Sequence, residues 1–333
     1  MRNFLLWTVV FSAAAVAAPA PSYHVTGKIQ IGGEGGWDYI FMDSAARRLY
    51  VSHATKVVVV DPDAGKVVGE IPDTPGVHGV AVAEKLGRGF TSNGRENTVS
   101  IFDLKTLALI RKVKVGENPD AIIYEPVSGR VFTFNGRSKD ATALDAATGE
   151  VAGTIPLGGK PEFSAVDGKG HLYVNNEDTN EIIAIDPQAM KVVRRSPLTG
   201  CEAPSGLAFD VPHHRLFSVC SNKVMVVTDS ESGKVLGTAP IGAGCDGAAF
   251  DDGFAFASNG GDGTITVVSE SGGNFAVAET VPTERSARTI TVDPKTHKLY
   301  LPAAEYAPRP AEGKQGGRPP MAPNSFHVIV AGR

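Results

Sequence analysis

The chain spells FTSNG at residues 90–94, FTFNG at residues 132–136 and FASNG at residues 256–260. Counterparts of the first four letters recur about every forty residues along the chain. They are YVSH at 50–53, FTSN at 90–93, FTFN at 132–135, YVNN at 173–176, FSVC at 217–220, FASN at 256–259 and YLPA at 300–303. The offsets between them are 40, 42, 41, 44, 39 and 44 residues, so the chain contains seven copies of one unit. A period of this length is typical of a repeat architecture.

Each copy contains four short apolar or alternating segments separated by Asp, Gly and Pro. In one copy GLAFD precedes the turn VPHHR, the FSVC segment follows, and VMVVTD then ends in an acidic turn. Alternation with period two and this punctuation predict four antiparallel strands per unit. A four-stranded sheet repeated seven times predicts an all-β, seven-bladed β-propeller.

The two ends of the chain predict how the ring closes. The seventh copy stops after its third strand, in SFHVIVAGR at residues 325–333. Near the other end, YHVTGKIQIGG at residues 23–33 matches the fourth strands of other copies, such as KVLGTAPIGA. We therefore expect the N-terminal strand to complete the last blade and to remove an exposed sheet edge.

The first twenty residues have the pattern of an export signal. MRN is followed by the apolar run FLLWTVVFSAAAVA and by small residues suited to cleavage. The sequence predicts a signal peptide at residues 1–20, a single propeller domain at 21–333, and a periplasmic or extracellular location. Because no second long apolar run follows, we expect no membrane span, and we expect a monomer.

The repeated motifs resemble those of a known family. The Y/F-V-T-N strand, the following V-D-x-x-[TS]-G-x-V stretch and the closing I-x-x-G-x-x-P are similar to the YVTN-type β-propeller repeat of YncE-like secreted bacterial proteins. The resemblance covers nearly all of the chain after residue 20. It implies the propeller fold, but not a function, because propellers include enzymes, binding proteins and scaffolds.

Equivalent positions at the start of each first strand should converge at one end of the channel, in what we call the mouth ring. Its members are Asp38, His78, Asp120, Glu162, Ser205, Asp246 and Arg288. Arg95 and Arg137 follow two of the repeated motifs and should lie above this ring. These residues could bind a small polar ligand, a protein partner or a single divalent cation. They could equally hydrogen-bond loop backbone and hydrate the channel.

A second ring, called the Asn ring, ends the second strands. Its members are His53, Asn93, Asn135, Asn176, Cys220, Asn259 and Ala303. Asn before Gly can bond turn amides and tolerates left-handed backbone, so we interpret the repeated Asn as architecture.

Three functions fit these observations. The first is an exported scaffold that binds a ligand or partner without catalysis, because the chain contains no C-x-x-C-H, G-x-S-x-G or H-E-x-x-H motif and we expect no cofactor. The second is a metal-assisted, lactonase-like hydrolase that uses mouth carboxylates. The third is single-stranded nucleic-acid binding, which the family resemblance suggests. Trp37 and a few arginines give this third function thin support, and the net charge of −4 provides no basic field.

Two further features depart from the repeat. In an oxidising compartment two of the three cysteines should pair, and we favour Cys201–Cys220, which leaves Cys245 free at the mouth. Residues 307–324, APRPAEGKQGGRPPMAPN, interrupt the last blade between its second and third strands. A connection of this length is typically functional or flexible.

Overall fold

Seven four-stranded antiparallel sheets make up the computed structural model, which describes residues 22–306 and 320–333. In six of them the strands follow one another in chain order. The first strands of neighbouring sheets contact one another around a central channel, and the last sheet contacts the first. The predicted seven-bladed propeller is confirmed.

The blades are numbered in chain order. Blade 1 consists of β2 (Ile40–Asp43), β3 (Arg48–His53), β4 (Lys56–Asp61) and β5 (Lys66–Ile71). Blade 2 consists of β6 (Val77–Ala83), β7 (Arg88–Asn93), β8 (Thr98–Asp103) and β9 (Leu109–Lys114). Blade 3 consists of β10 (Pro119–Glu125), β11 (Arg130–Asn135), β12 (Asp140–Asp145) and β13 (Val151–Pro156). Blade 4 consists of β14 (Pro161–Val166), β15 (Leu172–Asn176), β16 (Glu181–Asp186) and β17 (Lys191–Pro197). Blade 5 consists of β18 (Pro204–Asp210), β19 (Arg215–Cys220), β20 (Val224–Asp229) and β21 (Val235–Pro240). Blade 6 consists of β22 (Cys245–Asp251), β23 (Phe254–Asn259), β24 (Thr264–Ser271) and β25 (Asn274–Pro282). Blade 7 consists of β26 (Thr291–Asp293), β27 (Lys298–Ala303), β28 (His327–Gly332) and β1 (His24–Gln30). A short 3-10 helix, Glu84–Leu86, joins β6 to β7.

The N-terminal strand closes the ring, as the sequence predicts. β1 pairs antiparallel with β28, from His24 opposite Gly332 to Gln30 opposite His327. The sheet order is therefore β1-β28-β27-β26, with the N-terminal strand outermost. This pairing covers the edge that β28 would otherwise expose.

The apolar core lies between the blades. The second and third strands are buried almost throughout, whereas the outermost strands are mostly exposed, as in β5, where Ile71 is the buried residue. The core clusters of the described residues combine neighbouring blades, as where Leu49 and Val58 of blade 1 pack with Val328 of blade 7. Each blade is thus stabilised by apolar area buried against both neighbours.

The face opposite the mouth contains repeated polar contacts. The Asp that ends a third strand accepts backbone N–H bonds from the turn after it, as Asp145 does from Ala147 and Thr148 at 3.0 and 2.7 Å. An Arg that begins a second strand donates to the equivalent turn of the next blade, as Arg130 does to the Pro187 carbonyl at 2.6 Å. These contacts connect successive blades through their turns.

The predicted disulfide is confirmed. Cys201 and Cys220 are bonded, with their Cα atoms 5.4 Å apart. The third cysteine, Cys245, is free but buried among apolar side chains, so it does not line the mouth as we expected. Burial raises the pKa of its thiol well above the usual value. Disulfides persist in oxidising compartments outside the cytoplasm.

Two sequence predictions lie wholly or partly outside the described residues. The signal peptide at 1–20 is one, and most of the 307–324 segment is the other. At the base of that segment Tyr306 pairs with Met321. Among the described residues, no helix has the length and apolar character needed to cross a membrane.

Candidate functional site

The mouth ring forms because the first strands of the blades lie side by side around the channel. In blades 2 to 6 the ring residue is the second residue of its first strand, as His78 is in β6 and Asp120 in β10. Asp38 and Arg288 precede the shorter strands β2 and β26. Side chains that are about forty residues apart in sequence are thereby brought into contact.

Asp38, His78 and Asp120 form one group within this ring. His78 Nδ1 lies 2.5 Å from Asp38 Oδ2 and 3.5 Å from Asp120 Oδ1. Because a carboxylate only accepts, Nδ1 carries the proton of the shorter contact. Asp120 is only 8 % exposed, and its Oδ1 has no hydrogen-bond partner.

Arg288 joins this group to the other side of the ring. Its Nη1 contacts Asp38 Oδ1 at 3.1 Å and also donates to Asp246. Its Nη2 donates to the Trp37 carbonyl at 2.7 Å. The guanidinium therefore holds Asp38 and Asp246 in place.

Lys160 supplies a cation that the sequence analysis missed. Its Nζ lies 2.6 Å from Glu162 Oε1 and also pairs with Glu177. Lys160 lies two residues before a ring position, and that spacing is the signal that could have identified it.

Three ring carboxyls hold protons more tightly than usual, and burial raises the pKa of one of them, Asp246, in spite of the charge of Arg288. Burial raises the pKa of Asp120 to about 6, although the charge of His78 opposes the rise. Burial and the charge of Asp120 raise the pKa of Glu162 to about 8, against the pull of Lys160. Shifts of this kind concentrate at functional sites.

The His78–Asp38 pair behaves in the opposite way. Burial disfavours its charges, but the hydrogen bond to Asp38 and the charge of Asp120 raise the pKa of His78 to about 9. The same hydrogen bond and the charge of Arg288 outweigh burial and hold the pKa of Asp38 below its ordinary value. The pair is therefore ionised at neutral pH.

The Asn ring is structural, but for a different reason from the one expected. Asn135 is fully buried, accepts from Thr133 at 2.9 Å, and donates to Thr142 and Asp140 at 2.9 and 2.6 Å. Asn93 bonds Thr91, Thr98 and Ser100 in the same way. These Asn side chains link second strands to third strands. The expectation of left-handed backbone at the Asn is wrong, because φ is positive instead at later loop residues such as Asn97.

The Gly after the Asn gives the mouth residues room. A Cβ at Gly94 would lie 2.7 Å from His78 Nε2, and a Cβ at Gly260 would lie 2.7 Å from the Arg288 Cβ. Contacts below 3.0 Å force a displacement. The N-G pairs at 93–94 and 259–260 therefore combine a structural link with a close approach to the mouth ring.

A cleft opens beside the ring. It has a volume of about 490 Å³ and is lined by Asp38, His78 and Arg288 together with Trp37 and Arg95. Arg95 is exposed and reaches this cleft. Arg137, the equivalent residue of the next blade, is also exposed but does not line it.

An apolar cavity of about 300 Å³ occupies the channel beyond the ring, a feature that the sequence analysis missed. Residues in or next to the first strands of blades 1 to 4 line it, including Tyr39, Ile122 and Phe163. The rings of Tyr39 and Phe163 meet edge to face at 4.9 Å. The channel is therefore charged at the mouth and apolar farther in.

Comparisons with known proteins support the fold alone. No family model matches the chain, and no curated protein matches it. Among solved structures, the chain is similar to Kuenenia stuttgartiensis hydrazine synthase, with 17 % identity and a TM-score of 0.69. The match covers 84 % of this chain and 95 % of that one. At this identity the similarity carries no information about activity.

Proposed function

We propose that this protein is an exported binding propeller, of the periplasm or the extracellular space, which takes a small polar ligand or a partner at the mouth cleft. The observation that supports this most is the charged network of Asp38, His78, Asp120, Asp246 and Arg288 beside an open cleft. Partly buried charges that retain unused hydrogen-bonding capacity suit the recognition of a polar group. The disulfide supports the location.

Arg95 and Arg137 provide a matched test of this proposal. Both follow an N-G pair at equivalent positions, but only Arg95 lines the cleft. A panel of amino acids, hydroxy acids, sugars and lactones is screened by thermal shift in chelator, and hits are confirmed by calorimetry. Arg95→Gln should weaken binding about tenfold, as expected for one lost charged hydrogen bond. Arg137→Gln should leave it unchanged. No hit on the panel, or equal losses in both variants, would count against the cleft.

A hydrolase is the second candidate, because Asp120 and Glu162 have raised pKa values of about 6 and 8. Carboxyls that titrate near neutral pH suit proton transfer. The lactones of the same panel, with esters added and with divalent metal supplied in place of chelator, test this when product formation is followed. Turnover that is abolished by Glu162→Gln or Asp246→Asn would favour the hydrolase, and no turnover on any lactone or ester would remove it.

Single-stranded nucleic-acid binding receives less support from the geometry. Trp37 is 8 % exposed and packs on Phe326 at 5.1 Å, so it offers little face for a stacked base. The mouth carboxylates repel phosphate. Binding to an oligonucleotide that weakens steeply with salt would revive this alternative.

A further inference from the structure

Three side chains from consecutive blades lie close enough to hold one metal ion. Asp38, His78 and Asp120 each offer one ligand atom, and these atoms lie within 4.8 Å of one another. We propose that they form a mononuclear site for a first-row transition-metal dication. The site goes beyond ligand binding as proposed above and shares only its cleft.

Asp120 has a buried carboxylate oxygen that no hydrogen-bond donor satisfies. The residue is more than nine-tenths buried, and its Oδ1 makes no hydrogen bond. The atom faces His78 Nδ1 at 3.5 Å, across the space that a cation would fill. A buried carboxylate oxygen without a donor is costly, and a bound cation removes that cost.

The charges around the group favour a cation at this point. The mouth ring contains four carboxyls, Asp38, Asp120, Glu162 and Asp246, against two basic members, His78 and Arg288. Two nearby cations are engaged elsewhere: Arg288 pairs with Asp38 Oδ1 and Asp246, and Lys160 pairs with Glu162 and Glu177. Neither forms an ion pair with Asp120. The cation that faces Asp120 Oδ1 is His78, at 3.5 Å, and a metal ion bound to the neutral imidazole would take over that role.

Neighbouring groups also orient the ligands. Arg288 binds Asp38 through Oδ1, which leaves Oδ2 facing His78. The His78 ring lies directly beneath Gly94, where a Cβ would come within 2.7 Å of Nε2. Outer contacts of this kind fix the direction of metal ligands. A metal ion would take the place of the Nδ1 proton.

The donor set selects the class of metal. Ca²⁺ and Mg²⁺ prefer sites made of oxygen alone, whereas a site of one imidazole nitrogen and two carboxylates suits ions such as Zn²⁺ and Mn²⁺. Three protein ligands leave a coordination position for water or substrate. Since Asp38 and His78 line the cleft, that position would be open to the ligand of the proposed function.

Calorimetry with a metal alone tests the site. The full chain is stripped with a chelator and titrated with Zn²⁺, and with Ca²⁺ in parallel. We expect one Zn²⁺ per chain and much weaker Ca²⁺ binding. Asp120→Asn and His78→Gln should each weaken Zn²⁺ binding by about 100-fold or more, because they remove a direct ligand and second-shell losses alone reach that size.

A surface histidine provides the matched control. His171 Nδ1 contacts Asp167 at 2.7 Å, but its side chain is 61 % exposed. His171→Gln should leave Zn²⁺ affinity unchanged. No binding by the wild type, unchanged affinity in Asp120→Asn, or an equal loss in His171→Gln would each overturn the proposal. The visible spectrum of Co²⁺-loaded wild type gives a second measurement if a variant fails to fold. Because no organic ligand is used, failure here is separate from failure of the proposed function.

Discussion

The Asn ring and the mouth ring lie side by side at one end of the propeller, yet Asn93 and Asn135 of the first ring use their polar atoms differently from Asp120 of the second. The Asn ring repeats one residue in four blades, and the two members Asn93 and Asn135 bond neighbouring hydroxyls inside their own blade. The mouth ring varies from blade to blade and bonds between blades. It also leaves Asp120 Oδ1 without a hydrogen bond.

The difference teaches which polar residues to test for function. A buried polar group whose bonds are complete contributes to a single, well-defined fold. A group whose bonds are incomplete has capacity left for a ligand. Four experiments test this contrast.

The largest effect should come from the disulfide, which replaces the Asn link in blade 5 with the Cys201–Cys220 bond. The two residues are 19 positions apart, and a loop of that size is worth about 3 kcal/mol. Urea unfolding of Cys201→Ala/Cys220→Ala should show this loss of stability. A reducing agent should destabilise the wild type and Cys245→Ala but not the double variant. Equal midpoints for wild type and double variant would show that blade 5 does not depend on the bond.

The mouth ring should make stability fall as pH rises. The folded-state pKa values of Asp120 and Glu162 are raised to about 6 and 8, so the native state keeps protons that the unfolded chain releases. The resulting stability is complete in acid and is lost as pH rises through those values. The folded-state pKa of His78 is raised to about 9, so this residue adds a further loss of stability as pH rises above its usual pKa of 6.5. One retained proton is worth about 1.4 kcal/mol per pH unit, or about 2 to 3 kcal/mol between pH 6 and 8.

Urea unfolding of chelator-treated protein from pH 5 to 9 measures this dependence. The Asp120→Asn/Glu162→Gln variant should give a flatter profile, because it cannot release those protons. A wild-type profile that is already flat, or one that rises with pH, would contradict the assignment of raised pKa values.

Removal of an Asn-ring side chain should lower the free energy of unfolding by a somewhat smaller amount. Asn135→Ala leaves Thr133, Thr142 and Asp140 without their shared partner, which should cost about 2 kcal/mol. Asn274, an exposed strand residue, is the control, and its change to Ala should stay within about 0.5 kcal/mol. Equal urea midpoints for Asn135→Ala and Asn274→Ala would show that the hydrogen bonds of Asn135 do not stabilise the fold.

The smallest effect should come from Gly94, which connects the two rings. Gly94→Ala alters no charge, but its Cβ would displace the His78 ring. We expect about a tenfold loss of Zn²⁺ affinity, as for a disturbed outer contact, with the fold retained. Gly27→Ala, at an exposed strand position with no atom within 4 Å of the new Cβ, is the control for Zn²⁺ affinity. Unchanged affinity in Gly94→Ala would mean that the His78 ring adjusts without cost.

The sequence predicted the fold in detail because the repeat and the alternation of strands are local patterns. The spacing of equivalent residues also placed Asp38, His78 and Asp120 in one ring. It could not show that Arg95 reaches the cleft and Arg137 does not, because both follow an N-G pair and the spacing is therefore the same for both. Nor could it show that Cys245 is buried, because burial there depends on packing between blades 5 and 6.

The pairing of β1 with β28 also determines the order in which the molecule can fold. Gln30 and Phe326, which are in contact at this seam, are 296 residues apart. Joining such distant segments costs roughly 3 kcal/mol more loop entropy than closing a ten-residue hairpin. The packing contacts that offset this cost exist only after the other blades have formed, so the seam should close last and slowly. Until it does, the free edge of β28 can pair with β1 of another copy of the chain. The refolding yield should therefore fall as protein concentration rises.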